Sequence, residues 1–108
     1  MTTLRLHAHR LFDGLNYSDD QVLSIKNGKI VAIDQNVDSA DYVAEGLVVP
    51  GFIDLQVNGG GGSLFNASPS LESAKTIMTA HSKFGTTGML PTLITDKVEV
   101  MAQAADAI

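Results

Sequence analysis

The sequence predicts an α/β protein in which a β-rich stretch is followed by alternating strands and helices. Three features carry this. Residues 3–10 alternate apolar and polar, the period-two pattern of a half-buried strand. Two β-prone runs, Gln21–Lys26 and Lys29–Ile33, meet at Asn27-Gly28, a pair suited to a two-residue turn with both central residues at positive φ. From Gly46 onward, apolar strand-like runs are each followed by a stripe of helical spacing.

Taken in order, the first strand places Leu4, Leu6 and Ala8 on one side and Arg5, His7 and His9 on the other. Phe12-Asp13-Gly14 reads as a turn, Asp19-Asp20 as a solvated turn, and residues 34–46 as irregular or edge chain. Residues 47–57 are apolar almost throughout, which suggests a strand buried on both faces as in parallel sheets. Pro50 cannot donate to a ladder, so the strand proper should start at Phe52 and run into the glycines 59–62. Leu71, Ala74, Ile77, Met78, His81 and Phe84 form one helical stripe, with Ser68 or Ser70 as cap and Gly85 as the left-handed terminator. A second buried strand is expected over Met89–Ile94. A helix should then open on a capping box, Asp96 and Glu99, with Val98, Met101, Ala102, Ala105 and Ile108 inward. The alternation implies a parallel sheet or (β/α) barrel, with a first domain over residues 1–47 and a second over 48–108. That last helix meets no terminating glycine, basic residue or proline, and two parallel strands cannot close a barrel. The expectation is therefore an incomplete segment of a longer fold.

Composition narrows the function classes. The net charge is −5 and the seven Lys and Arg residues are scattered, which argues against nucleic acid as partner. With no cysteine, disulfides and thiolate metal sites are excluded, a composition that suits the cytoplasm. No apolar run approaches the roughly 20 residues needed to span a bilayer, and none forms a secretory signal core. A membrane partner is not expected.

Few residues could carry chemistry. His7 and His9, two apart on a strand, share a face and could share a metal, but Arg5 and Arg10 flank them and no neighbouring carboxylate completes a shell. They are expected to be solvated. Gln56 and Asn58 stand at the C-terminal end of a buried strand, where barrel enzymes gather reacting groups. Amides ligate divalent cations weakly. They could hydrogen-bond a substrate or a metal-bound water, or merely satisfy the following loop, and both readings stay open. The run Gly59, Gly60, Gly61, Gly62 matches no phosphate-loop pattern and suggests either a flexible active-site loop or close backbone packing. His81, central in its helix stripe, is expected to pack with one nitrogen bonded.

The segment Val48-Val49-Pro50-Gly51-Phe52-Ile53-Asp54 resembles the entry to the first barrel strand of the amidohydrolase superfamily. Where most members continue with His-x-His, this chain has Gln56-Val57-Asn58 and then the glycines. Together with Gly85-Thr86-Thr87-Gly88 and Met89-Leu90-Pro91-Thr92-Leu93-Ile94-Thr95, it resembles the N-acetylglucosamine-6-phosphate deacetylase family. That resemblance implies a small β-sandwich portion followed by the first βα units of a metal-dependent (β/α)8 barrel. It implies hydrolysis of N-acetylglucosamine 6-phosphate to glucosamine 6-phosphate and acetate, a phosphosugar substrate, and a homodimeric parent. It also implies a divalent metal ion whose ligands lie beyond residue 108, so that no catalytic or metal residue falls within this chain. Gln56 and Asn58 would stand beside the metal-bound water. The alternatives are another amide hydrolase of the superfamily, or a non-catalytic binding module.

Overall fold

A computed structural model describes residues 2–108. The chain divides into two compact units, Met1–Pro50 and Gly51–Ile108. The α/β class holds, with the strands of the first unit preceding the strand–helix alternation of the second.

Unit 1 is one mixed sheet of β1 (Leu4–Phe12), β2 (Tyr17–Lys26), β3 (Lys29–Asp34) and β4 (Tyr42–Val48), in spatial order β3-β2-β1-β4. Asn27 and Gly28 both take positive φ, at 54° and 73°, so the turn between β2 and β3 is the one the dipeptide predicts. At the other end of β2, the Asp13 carboxylate accepts the N–H groups of Leu15 and Asn16, both at 2.8 Å, and closes the β1–β2 connection. β4 lies parallel to β1 and was not legible in the Asp- and Ala-rich residues 34–46. It is a seven-residue edge strand, YVAEGLV, whose alternation is broken by Glu45-Gly46. A bulge sets Glu45 and Gly46 against His9, between the Ala8–Ala44 and Arg10–Leu47 pairs. Asp19 and Asp20 are not a turn but lie inside β2. Ala8, Leu11 and Leu23 form the core of this unit, with Val48 packed against them.

Arg5 ties the sheet together. Its guanidinium donates to Ser39 Oγ (2.7 Å), to Ser24 Oγ (2.9 Å) and to both carboxylate oxygens of Asp34 (2.9 and 3.0 Å). These bonds reach β2, the end of β3 and the 3-10 turn Val37–Ser39. The Asn36 N–H, and after it Arg5, hold the Asp34 carboxyl below the ordinary carboxylate value.

Unit 2 pairs β5 (Phe52–Val57) in parallel with β8 (Thr86–Pro91). Between them in sequence come the short hairpin of β6 (Gly59–Gly60) and β7 (Ser63–Leu64), then helix α1 (Leu71–Ser82). Ser70 caps α1 by accepting the Ser73 N–H at 3.1 Å, and Gly85, at φ 95°, ends the last turn. The second strand starts at Thr86 and stops at Pro91, earlier than expected, and 92–94 are coil.

Helix α2 (Val98–Asp106) has no side-chain cap. Asp96 instead accepts the Lys97 N–H and a bond from Asn66, so the expected capping box does not form. The core is Val57, Phe65, Ala74, Ile77 and Ala104, flanked by Met89 and Leu93. The α1 stripe is narrower than its sequence suggested, and the expected α2 stripe is not the face that is buried. In α1, Leu71 and, past the helix end, Phe84 are exposed, while Ala74 and Ile77 are buried. In α2 all five residues expected inward, Val98, Met101, Ala102, Ala105 and Ile108, are exposed. The buried residue there is Ala104, which packs in the cluster with Phe65. The β5 and β8 faces are not buried either: Leu55 is 71% exposed, and Phe52, Ile53 and Leu90 are also open. No helix among the described residues is long and apolar enough to cross a membrane.

Candidate functional site

The C-terminal end of β5 is shaped by a register slip. Asp54 pairs with Met89 and Val57 with Pro91, so three steps along β5 match two along β8. Such a bulge frees a backbone N–H and re-aims the side chains that follow. Here the N–H of Gln56 goes to the carboxylate of its neighbour, Asp54 Oδ1, at 3.1 Å. Gln56 is exposed, whereas Asn58, just beyond the strand, is half-buried.

Asn58 holds the end of the sheet together. Its side-chain amide donates to the Thr92 carbonyl at 2.9 Å, and its carbonyl accepts the Phe65 N–H at 2.8 Å. The Thr92 N–H in turn donates to the Val57 carbonyl at 2.8 Å, extending the pairing past Pro91, which has no N–H to offer. Nearby in chain order, Asn66 behaves like a strand partner for the segment after β8. Its amide nitrogen donates to the Ile94 carbonyl (2.8 Å) and to Asp96 Oδ2 (2.9 Å), and its oxygen accepts the Ile94 N–H (2.8 Å). The bond from Asn66, and then that from Lys97 N–H, hold Asp96 below the ordinary carboxylate value. Asn66, Thr92 and Asp96 were not singled out from sequence, since nothing local marks long-range amide partners.

The glycines form part of a short hairpin, with Gly59 and Gly60 paired to Leu64 and Ser63. Gly61 and Gly62 take φ of 60° and 81°, two successive positive-φ residues as at Asn27-Gly28. Close approach explains the two before them. A Cβ on Gly59 would come within 2.6 Å of the Ser63 carbonyl oxygen, and one on Gly60 within 2.9 Å of His81 Nε2. His81 packs as expected, its Nε2 3.0 Å from the Gly59 carbonyl. Close backbone packing thus accounts for glycine at positions 59 and 60.

At this strand end, Gln56, Asn58 and Thr92 offer amide, hydroxyl and carbonyl groups that can orient a ligand by hydrogen bonding. They are a poor donor set for a divalent cation, which favours carboxylates and imidazoles. The residues present at the end of β5 therefore do not by themselves make the metal centre that the resemblance implies.

His9 is exposed as expected, but His7 is not, and a carboxylate does stand beside both rings. His7 is buried, at 8% exposed, and Asp20 from β2 faces both rings: its Oδ1 lies 3.0 Å from His7 Nε2 and 3.4 Å from His9 Nδ1. The missing carboxylate was distant in sequence only. Counting residues back from the Asp13–Asn16 turn puts Asp20 across from His9, and that register was the signal available. The bonds from His7 and then His9 hold the Asp20 carboxyl below its ordinary value.

No family model matches the chain. It is 45% identical over 101 residues to the N-acetylgalactosamine-6-phosphate deacetylase of Shewanella sp. (strain ANA-3), with 86% of this chain aligned to 25% of that protein. It is 49% identical over 45 residues to the N-acetylglucosamine-6-phosphate deacetylase of Haemophilus influenzae, covering 42% of this chain and 12% of that one. The chain thus spans about a quarter or less of the length of these curated relatives. Among solved structures, the N-acetylglucosamine-6-phosphate deacetylase of Pasteurella multocida matches 98% of this chain and 29% of its own, with TM-score 0.81 and 28% identity. The Mycobacterium smegmatis enzyme matches with TM-score 0.85 and 25% identity, over 96% of this chain and 30% of that one. A mutant of it, solved with N-acetyl-D-glucosamine-6-phosphate, supports the fold with TM-score 0.84 at 23% identity, over 99% of this chain and 29% of that one. In sequence and in fold, the chain resembles the amino-sugar 6-phosphate deacetylases.

Proposed function

We propose that this chain forms the amino-terminal part of a metal-dependent deacetylase that hydrolyses N-acetylglucosamine 6-phosphate to glucosamine 6-phosphate and acetate. The observation that carries the deacetylase reading is the 45% identity to a curated amino-sugar 6-phosphate deacetylase over 86% of the chain, a span longer than either unit. The gluco substrate is supported by the names of the second relative and of the solved structures. In this reading unit 2 supplies the first βα steps of a (β/α)8 barrel, and the C-terminal end of β5 faces the substrate. The exposed Gln56 amide and the fixed Asn58 amide then orient the sugar or the attacking water by hydrogen bonding. The amide donors of the strand end do not supply a cation site, so the divalent metal and the general base belong to residues outside 1–108. A homodimeric, cytoplasmic parent completes the proposal, on the strength of the resemblance.

A second reading changes only the sugar. The relative aligned over most of the chain is named for N-acetylgalactosamine 6-phosphate, the 4-epimer, while the shorter alignment and the solved structures are named for the glucosamine series. One experiment addresses both. The matching segment of the Shewanella enzyme is replaced by this chain, and acetate release is measured with each 6-phosphosugar. Activity on N-acetylglucosamine 6-phosphate supports the first reading, and preference for the galacto epimer supports the second. A folded chimera inert on both overturns the proposal. Gln56→Ala in the active chimera should lower kcat/KM by about tenfold, the size of one lost transition-state hydrogen bond of about 1.4 kcal/mol.

A further inference from the structure

The cluster of His7, His9 and Asp20 belongs wholly to unit 1, takes no part in the strand end of unit 2, and combines features that a simple ion pair does not require. Two imidazoles and a carboxylate, one ligand atom each, all lie within 4.8 Å of one another. Asp20 Oδ1 is 3.0 Å from His7 Nε2 and 3.4 Å from His9 Nδ1. In a tetrahedral zinc site with bonds of about 2.0–2.1 Å, ligand atoms stand about 3.3 Å apart. These two separations already bracket that edge, and the third, between the two imidazole nitrogens, is no longer than 4.8 Å, a gap that a change of ring torsion can close.

The scaffold holds the three groups in place. His7 is nearly buried, and the two rings meet edge to face with centroids 4.5 Å apart, which limits their rotation. Asp20 sits at φ 49°, a conformation unusual for a residue inside a strand. The β1–β2 ladder pairs Ala8 with Gln21 and Arg10 with Asp19, and the intervening His9 and Asp20 face each other across it. The two arginines that argued against a cation are engaged elsewhere. Arg5 is bound by Asp34, Ser24 and Ser39, and Arg10 lies over the Tyr17 ring at 6.0 Å.

We propose that His7 Nε2, His9 Nδ1 and an Asp20 carboxylate oxygen form a binding site for a borderline divalent transition metal, with Zn²⁺ as its type. Two nitrogens and one oxygen leave one tetrahedral position for water, and both His9 and Asp20 are exposed to solvent. Binding requires the His7 proton to reside on Nδ1 and the His9 proton on Nε2, so both ligating nitrogens present lone pairs. An ion there would clip β1 to β2 and stabilise the sheet by mass action.

The test is titration of the metal-free protein with Zn²⁺ alone, followed by calorimetry and by imidazole NMR signals. One ion should bind with a Kd in the micromolar range, shifting the ring resonances of His7 and His9 but not those of His81. Asp20→Asn, which keeps a side chain tolerant of positive φ, and His9→Gln should each weaken binding at least tenfold. Zn²⁺ at about 100 times Kd should raise the Tm of the wild type by several degrees or more, and that of neither variant. Mg²⁺ should not compete. Absence of saturable binding, or zinc that shifts His81 instead, overturns the proposal. The NMR readout on the unaltered protein decides the matter even if a variant fails to fold.

Discussion

The two units solve the same problem in opposite ways. In unit 1 the polar groups find each other: Arg5 reaches four oxygens on three segments, and Asp20 answers two histidines from the neighbouring strand. In unit 2 the apolar groups divide, with Val57, Phe65 and Ile77 forming a closed cluster while Phe52, Ile53, Leu55 and Leu90 remain open. The first unit reads from sequence as a half-polar sheet and is one. The second reads as a doubly covered sheet, yet its strands carry cover only where the hairpin and helices reach them. Apolar composition states what a strand is suited to bury, not which of its faces this chain covers.

Core truncation should separate the two most sharply. Phe65→Ala removes a ring 1% exposed at the junction of hairpin, helix and sheet and should cost about 3–5 kcal/mol. Hydrogen exchange should show that loss in the amides of α1 and β8. The same protection lost equally in β1 and β2 would mean that the units unfold as one, breaking the comparison.

Next comes Gly59→Ala, where the new Cβ meets backbone rather than a movable side chain. It should cost about 2–3 kcal/mol by denaturant unfolding. A neutral result would show that the β6–β7 hairpin is looser than its spacing suggests.

For unit 1 the informative variable is pH. Asp20 and Asp34 both have carboxyls held below their ordinary values. Groups depressed in the folded state contribute stability that is fully present above the unfolded carboxylate value, near 4, and lost as the pH falls through the folded one. Exchange protection in β1 and β2 should therefore decline on acidification below about pH 4, and Asp20→Asn should flatten part of that decline. An unchanged acid profile in the variant would remove Asp20 from the account.

Smallest of all should be Leu55→Ser. At a position 71% exposed, the change in stability should stay within about 0.5 kcal/mol. A cost well above 1 kcal/mol in a longer protein carrying this chain would show directly that this face of β5 is covered there.

Much of the fold was legible because its signals are local. Asn27-Gly28 determines a turn since both positions need positive φ, Ser70 and Gly85 bracket α1 for reasons of capping and handedness, and Pro50 delays β5 to Phe52. The strand-end amides Gln56 and Asn58 could be singled out in the same way, from their place after an apolar run. What escaped was long-range. Asp20 meets His7 through strand register, and Asn66 bonds Ile94 across 28 residues. β4 forms only because β1 offers it an edge.

By itself, then, the sequence determined the α/β order, the turns and helix ends, and the residues that carry the deacetylase resemblance. Each of these is decided within a few residues by backbone sterics, hydrogen-bonding capacity or side-chain period. Only the tertiary structure decided which strand faces are covered, that the four glycines form a hairpin, and that two histidines thought to be solvated share a carboxylate. Those outcomes depend on which distant segments are brought into register, and no local propensity encodes that.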